Sequence, residues 1–114
     1  MSKIQSLVTF TIKKGELKKF QKVANRCIKV AKKKDPGTIH YLWYYNAEKT
    51  QCLVHESYNS SKSFIQHMKN VNPLIIQLLR ISSVSSVAIG KPSKKLLKIL
   101  SGMKMKIYQK KAGF

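Results

Sequence analysis

The sequence predicts one α+β domain whose strands and helices follow the order β-α-β-β-α-β. Apolar and polar residues alternate with a period of two near the start of the chain, and the spacing changes to that of an amphipathic helix after Gly15. Two further segments rich in aromatic and β-branched residues are separated by a gap of hairpin size. At 114 residues, of which 43% are hydrophobic, the chain can form one core but not two domains.

The first strand is predicted over residues 4–13, where apolar residues occupy alternate positions. A helix is predicted from Glu16, with lysines on its outer face. It ends before Pro36 and Gly37, which are typical of turns. The apolar stripe of this helix consists of Leu17, Phe20, Val23, Ala24, Cys27, Ile28 and Ala31.

The second half of the chain predicts two more strands, two short helices and a last strand. Asn59-Ser60-Ser61 supplies an N-cap for the first of these helices, and Pro73 suits the first turn of the second. The resulting order is that of ferredoxin-like folds, in which both helices cover one face of a four-stranded antiparallel sheet. The predicted elements are strands at 38–45, 51–58 and 84–89, and helices at 62–69 and 74–80.

The predicted four-stranded unit is complete near residue 91. The domain boundaries are therefore predicted at 1–91, with a C-terminal extension over 92–114. The extension contains an amphipathic segment, Leu96 to Leu100, and a basic tail that ends at Phe114. Two interpretations of the tail stay open: it packs on the subunit or its partner, or it is a disordered end.

One face of the predicted sheet is left bare by the helices. Leu7, Tyr41, Trp43 and Tyr45 are expected to make that face too apolar for water. A lone domain of this size buries only about two-thirds of its unfolded surface, so a second subunit on this face would add stability. The sequence therefore predicts a homodimer.

The charge balance is strongly basic, with 23 Lys and Arg against four Asp and Glu and a net charge of +19. Such a field attracts nucleic acid or another anionic partner. Only Arg26 and Arg80 are arginines, and lysine is less suited than arginine to specific phosphate recognition. A nucleic-acid interface would require a set of lysines to converge on one face: Lys18, Lys22, Lys94, Lys95, Lys104 and Lys106.

Cys27 and Cys52 stand far apart, with no Cys-x-x-Cys pair and no cluster of histidine and cysteine. They are interpreted as reduced thiols of a cytoplasmic protein, and no metal site is predicted. The N-terminal residues show no apolar signal segment. No apolar run approaches the roughly 18 residues needed to span a bilayer, so membrane insertion is not expected.

Three motifs in register resemble the antibiotic-biosynthesis-monooxygenase family. They are a Pro-Gly turn leading to an aromatic strand, a Glu near the end of the next strand, and a Ser-Phe-x-x-His helix. The resemblance covers about residues 4–90. The motifs are Pro36-Gly37-Thr38-Ile39-His40-Tyr41, His55-Glu56-Ser57-Tyr58 and Ser63-Phe64-Ile65-Gln66-His67-Met68.

The resemblance implies a dimeric α+β barrel with one pocket per subunit between sheet and helices. Several family members oxidise phenolic or quinol-like aromatics with molecular oxygen and no cofactor, so the implied function is a cofactor-independent monooxygenase. Such chemistry needs a base, a hydrogen-bond donor for the developing oxyanion, and a dry pocket. Fold alone does not decide chemistry. A dimeric small-molecule-binding or stress-related domain without catalysis is therefore the second interpretation, and a nucleic-acid or anionic-partner protein the third.

His67 matches the helix histidine of the family and is the candidate base, since histidine titrates near neutrality as a residue type. Glu56 is the candidate residue that orients or stabilises it. Tyr41 and Trp43 are candidates for an aromatic substrate wall. Because Tyr41 and Trp43 share one face of a strand and His40 lies on the other, only one set can line a pocket, and the sequence leaves open which. His40 and His55 are further substrate-binding candidates.

Heme degradation, an activity of other family members, is argued against by two positions. Those enzymes hold the iron with a helix histidine about ten residues beyond the position of His67, where this chain has Gln77. They also carry an asparagine in the first strand, where this chain has Ser6, Val8 and Thr9.

Overall fold

The computed structural model describes residues 3–114 and confirms the ferredoxin-like α+β architecture. Its elements are β1 (Ile4–Ile12), α1 (Leu17–Lys34), β2 (Thr38–Tyr45), β3 (Gln51–Tyr58), α2 (Ser61–Ile81), β4 (Ser82–Ile89), α3 (Lys94–Gly102) and β5 (Lys106–Tyr108). The strands form one sheet in the order β2-β3-β1-β4-β5, antiparallel except for β5, which is parallel to β4.

The pairing register places a polar row across the sheet beneath the helices. Ser6 in β1 lies opposite Glu56 in β3 and Ala88 in β4. Glu56 in turn lies opposite Tyr41 in β2. Side chains at paired positions point to the same face of a sheet. Tyr41, Glu56 and Ser6 therefore lie side by side in an otherwise apolar layer.

Helix α1 buries five of the seven residues of the predicted apolar stripe, whereas Leu17 is partly buried and Ile28 is exposed. It ends at Lys34, and the Asp35 backbone N–H donates to the carbonyl of Ala31 at 2.9 Å, which extends the helical pattern to the cap. Lysines occupy its last turn, where they stabilise the negative end of the helix dipole. The buried residues are Phe20, Val23, Ala24, Cys27 and Ala31.

The turn between α1 and β2 is held tightly against the start of α2. The backbone N–H of Asn59 donates to the carbonyl of Gly37 at 2.9 Å. A Cβ atom added at Gly37 would lie only 2.6 Å from the Cβ of Ser63, and closer still to its Oγ. Position 37 therefore requires glycine, because the backbone of the turn approaches α2 too closely for a side chain.

We expect Gly37→Ala to lower the free energy of unfolding by about 1–3 kcal/mol, the usual cost of overpacking. The added methyl group must push α2 away from the turn that carries Asp35. In the double variant Gly37→Ala/Ser63→Gly the clashing atoms of Ser63 are gone. The free energy of unfolding should therefore fall by less than the sum of the decreases in the two single variants. Urea unfolding of all four proteins checks this, and strictly additive effects would contradict the proposed clash.

Helix α2 is continuous from Ser61 to Ile81, so the prediction of two short helices, at 62–69 and 74–80, is wrong. Pro73 lies inside the helix rather than at the start of a new one. The apolar stripe runs without a break through the proline, and its packing outweighs the one hydrogen bond that proline cannot donate. The predicted N-cap is confirmed, since the Ser60 side chain accepts from the backbone N–H of Ser63.

Residues beyond Pro92 form α3 and β5, and both pack against the rest of the chain. Leu96 and Leu100 of α3 are fully buried, and Met105 is 8% exposed. They join a core cluster with Ile4 and Tyr58. The expectation of a four-stranded sheet is therefore corrected to five strands, because β5 pairs with β4 after α3 returns the chain to that edge.

The open face of the sheet carries a different set of residues from the one predicted. Tyr41, Trp43 and Tyr45 point toward the helices and pack against the core. The prediction that they lie on the bare face is therefore wrong, because the odd-numbered residues of β2 are the ones that face the helices. Leu7 does lie on the open face, together with His40, Leu42, Tyr44, Leu53 and His55.

Within residues 3–114, no helix combines the length and apolar character needed to cross a membrane.

Candidate active site

A cavity of about 530 Å³ lies between the sheet and the helices α2 and α3. Most of its wall is apolar, with Phe10 and Val54 from the sheet, Ile75 and Leu79 from α2, and Ile99 from α3. A mostly apolar cavity with a few converging polar groups is the usual form of a small-molecule site. The polar residues that line it are Ser6, Tyr41, Trp43, Glu56, His67, Lys69, Asn72 and Ser86.

His67 enters this cavity from α2 and is held by a carboxylate from the turn after α1. Its Nδ1 lies 2.6 Å from Oδ2 of Asp35, and both side chains are buried. The Nδ2 of Asn70 donates to the other carboxylate oxygen, so Asp35 accepts at both oxygens. An acceptor at Nδ1 assigns the proton of a neutral imidazole to that nitrogen and leaves Nε2 able to take up a proton. This is the arrangement of a base oriented by a carboxylate.

Glu56 faces His67 from the sheet. Its Oε1 lies 3.7 Å from Nε2 of His67, slightly beyond hydrogen-bond distance, and the hydroxyl of Tyr58 donates to the same oxygen. Burial raises the pKa of Glu56, and the neighbouring His67 and the Tyr58 hydroxyl oppose this rise. Glu56 therefore keeps its proton to higher pH than an exposed glutamate does.

Two tyrosines enclose the imidazole of His67. The ring of Tyr41 meets it edge to face with centroids 4.7 Å apart, and the ring of Tyr58 lies at 5.3 Å. Tyr58 also stacks on Phe64 at 4.4 Å, which fixes its hydroxyl toward Glu56. Burial, with a smaller contribution from Glu56, raises the pKa of both tyrosines far above 10. Both phenols therefore stay neutral.

Neither cysteine is suited to nucleophilic chemistry. Cys27 and Cys52 are free and buried. Burial raises the pKa of Cys27 to about 12 and that of Cys52 to about 11. Since the thiolate is the reactive form, both thiols are inert at neutral pH.

Among the residues that line the cavity, Trp43 has a buried Nε1 with no hydrogen-bond partner in the part of the chain that the structure describes. The hydroxyl of Ser6 lies beside Glu56 and lowers the pKa of that carboxyl. An indole N–H can only donate, and a serine hydroxyl can donate as well as accept. An unpaired buried polar atom costs about 1–3 kcal/mol, which a ligand can recover by supplying the partner. The cavity therefore favours a ligand that presents hydrogen-bond acceptors to its apolar wall.

The structure brings four of the six predicted site residues together and separates the other two. His67, Glu56, Tyr41 and Trp43 all line the cavity. The sequence left open which face of β2 lies under the helices, and the structure shows that it is the face of Tyr41 and Trp43.

His40 and His55, the other two candidates, lie on the opposite face of the sheet and do not line the cavity that contains His67. Their rings stack on each other with centroids 6.4 Å apart. The Nε2 of His55 hydrogen-bonds to Oε1 of Gln5 at 2.8 Å. The physical reason is the period of two along a strand, which sends each neighbour of Tyr41 and Glu56 to the other side.

Asp35 and Tyr58 are the site residues that sequence reasoning missed. Asp35 directly precedes the turn at Pro36 and Gly37, and no local pattern indicates its contact with His67. Asp35 and Glu56 are the two buried acids, and both face His67.

The lysines proposed for a nucleic-acid interface are distributed over different elements. Lys18 and Lys22 lie on α1, whereas Lys94 and Lys95 lie on α3. Helix α2 packs against both of these helices and lies between them. Within residues 3–114, no group of three or more histidine, cysteine, aspartate or glutamate side chains is placed to hold a metal ion.

We expect Glu56→Gln to stabilise the protein increasingly as the pH rises. The pKa of Glu56 in the folded protein is raised above the ordinary value of 4.5, so the folded protein binds the proton more tightly than the unfolded chain does. The stability that this proton contributes is fully present below pH 4.5 and is lost as the pH rises through the raised pKa. Glutamine has no such dependence. The melting temperature of the variant minus that of wild type should therefore grow between about pH 4 and pH 8.

Thermal unfolding at several pH values checks this prediction, with Glu48→Gln as the matched control because Glu48 is exposed in a turn. A difference for Glu56→Gln that does not change with pH, or that changes as much in the control, would contradict it.

The chain has close structural relatives but no sequence match to a known family. Neither the family models nor the curated proteins compared with it contain a match. Among solved structures, MupZ from Pseudomonas fluorescens superposes with a TM-score of 0.86 over 98% of this chain and 93% of its own, at 22% identity. Because that alignment covers nearly the whole chain, it includes the C-terminal elements.

Other solved structures match a shorter part of the chain. Rv0793 from Mycobacterium tuberculosis has a TM-score of 0.71 at 12% identity, over 81% of this chain and 97% of its own. A candidate antibiotic biosynthesis monooxygenase from Caulobacter crescentus has a TM-score of 0.68 at 17% identity, over 81% and 90%. At these identities the likeness shows the fold alone, and it confirms that this chain shares the fold of proteins named for that family.

Proposed function

We propose that the cavity is an acid–base active site in which His67 removes a proton from a small aromatic substrate. One observation carries the proposal: the buried His67 is bonded through Nδ1 to Asp35 and lines a mostly apolar cavity, where its Nε2 lies 3.7 Å from Oε1 of Glu56. A carboxylate that orients the ring through Nδ1, beside a cavity that can hold a substrate, is the geometry that general-base catalysis requires.

The reaction that fits this site is cofactor-independent oxygenation of a phenol or quinol. Removal of the hydroxyl proton by Nε2 of His67 gives a phenolate, which is electron-rich enough to reduce molecular oxygen. Oxygen adds to a ring carbon as a hydroperoxide, which loses water and leaves a carbonyl. A phenol and O₂ thus give a quinone and water, and the substrate supplies all the electrons.

The other polar groups of the cavity have matching roles in this proposal. Burial favours the protonated form of Glu56, and in that form its carboxyl donates a hydrogen bond to oxygen atoms on which charge develops. Trp43 supplies an indole N–H donor to the same ligand from the sheet, since its Nε1 lacks a partner within residues 3–114. The apolar wall excludes water, which would otherwise compete for the phenolate.

We further propose that the open sheet face forms the contact of a homodimer. Leu42, Tyr44 and Leu53 are exposed on it, at 40%, 51% and 41%. Exposed apolar residues that share one face of a sheet are typical of a protein–protein contact. A second copy of the chain, related by a two-fold axis, would cover the face with the same residues.

Oxygen consumption by the purified, metal-stripped protein tests the proposed reaction. The substrates are a panel of quinols and polyphenols, with heat-denatured protein as the control for autoxidation. We expect protein-dependent uptake of one O₂ per substrate molecule. No uptake above autoxidation for any member of the panel would overturn the oxygenase and favour the second interpretation, a ligand-binding domain without catalysis.

A further inference from the structure

A second cavity, of about 690 Å³, adjoins the candidate active site. It lies where α2 and α3 begin, and the two cavities share the side chains of Ile65 and Lys69 as wall. Nothing in the proposed proton transfer uses it. The remaining residues that line the second cavity are Ser60, Ser61, Lys62, Gln66, Lys91, Ser93 and Lys95.

The second cavity is an open groove whose wall is mostly apolar, and the charged side chains that line it are all exposed lysines. Four lysines and three serines line it, and none of the four acidic residues of the chain is among its lining residues. Two of those acids, Asp35 and Glu56, face His67 on the other side of α2. The lysines therefore face the second cavity without a carboxylate to neutralise them, and their summed field favours an anion.

The geometry of this cavity is fixed by contacts between its walls. The Oγ of Ser61 in α2 accepts from the backbone N–H of Ser93, the residue before α3, at 2.8 Å. Ser93 in turn caps α3 through Leu96 N–H. The starts of both helices are thereby held together, and lysines from three segments of the chain, Lys62 and Lys69, Lys91, and Lys95, converge on one space.

We propose that the second cavity is a subsite for the anionic group, a carboxylate or a phosphate, of a substrate whose apolar part lies in the first cavity. This rests on the proposed function in taking the first cavity as the substrate site. Lys69 lines both cavities and therefore lies where the apolar part of the ligand meets its charged end. The substrate class that follows is an amphiphilic aromatic acid or phosphate ester.

Calorimetric binding of matched phenylhexyl ligands tests the subsite without requiring turnover. The probes are 6-phenylhexanoate, 6-phenylhexyl phosphate and the neutral 6-phenylhexanol. We expect the anions to bind about tenfold more tightly than the alcohol at low salt, the effect of a few partly exposed charge contacts. Comparison of the carboxylate with the phosphate distinguishes the two anionic groups.

The double variant Lys69→Gln/Lys95→Gln should bring the anions to within about twofold of the alcohol. The control Lys18→Gln/Lys22→Gln removes the same charge from α1, outside the lining of both cavities, and should keep the discrimination. Equal binding of acid and alcohol to wild type, or equal losses in both double variants, would overturn the subsite.

A single-stranded oligonucleotide is titrated in parallel. The proposal would be overturned if the wild type showed no preference for the anionic probes and only Lys69→Gln/Lys95→Gln lost oligonucleotide binding. That result would assign the lysines to nucleic-acid binding. The binding and oxygen-uptake results also test the two proposals separately. If the anions bind more tightly than the alcohol but no oxygen is consumed, the subsite is supported and the oxygenase is overturned. If neutral quinols are oxidised but the anions bind no more tightly than the alcohol, the oxygenase is supported and the subsite is overturned.

Discussion

Replacing His67 with glutamine should lower turnover by about 10²–10⁴-fold, the usual contribution of a positioned general base. Glutamine keeps a polar side chain of similar reach near Asp35 but cannot take up the substrate proton. The measurement is steady-state oxygen consumption on whichever phenol or quinol of the panel is oxidised. We expect kcat and kcat/KM to fall by the same factor, because the base acts in the transition state rather than in substrate binding.

Stability must be measured with the His67 variant, because the histidine is 2% exposed and hydrogen-bonded. We expect a cost of about 1–3 kcal/mol for disturbing this buried contact, and activity is therefore compared well below the melting temperature. A folded His67→Gln protein with full turnover would show that another group is the base.

Asp35 tests the same site as a positioning residue. It contacts His67 but does not line the main cavity. Asp35→Asn should therefore lower kcat while KM changes by less than about twofold, since the substrate contacts remain. A variant that changes KM alone, or neither parameter, would contradict the role assigned to Asp35.

Replacing Trp43 with aspartate should prevent folding. The indole stacks on Phe10 with centroids 6.1 Å apart and meets Phe20 at 6.4 Å, beneath the helices. Trp43 is partly buried, so its removal costs up to about 3–5 kcal/mol, and a carboxylate placed against the apolar core adds to this. The sum is a large part of the 5–15 kcal/mol that stabilises a typical domain. We expect no cooperative transition in urea.

The adjacent residue, Leu42, provides a matched control on the other face of the same strand. Leu42→Asp should unfold in urea like wild type, because Leu42 is 40% exposed and lies outside the core. In the proposed homodimer it should instead weaken association, which analytical ultracentrifugation measures. A stable Trp43→Asp protein would refute the assignment of the strand faces, and a fully dimeric Leu42→Asp would argue against the proposed contact.

The order of secondary structure could be predicted from local pattern because its causes are local. The strands at 38–45 and 51–58 begin and end where aromatic and β-branched residues give way to turn residues, and the structure has the same bounds. The apolar stripe of α1 could likewise be predicted from the spacing of apolar residues after Gly15. Pro73 misled the prediction because its local preference for a helix start is overridden by packing along the whole of α2.

The candidate site could be predicted only in part. His67 and Glu56 were identified through a motif resemblance, and the structure places them 3.7 Å apart between Nε2 and Oε1. Asp35 could not be assigned to the site from pattern, because it is 32 residues from His67 along the chain. Nothing in a turn sequence indicates which helix will pack against it.

The sequence by itself determined the first helix and the first three strands, the basic composition and the scarcity of carboxylates, since propensity, periodicity and composition are properties of the chain alone. Only the tertiary structure decided which strand face became the pocket wall, because the two alternating sets, Tyr41 with Trp43 and His40 with Leu42, are both compatible with a strand. It also decided between packing and disorder for residues 92–114, because α3 packs against the core and β5 joins the sheet. The physical reason is that burial and pairing depend on contacts between distant segments, which no local pattern specifies.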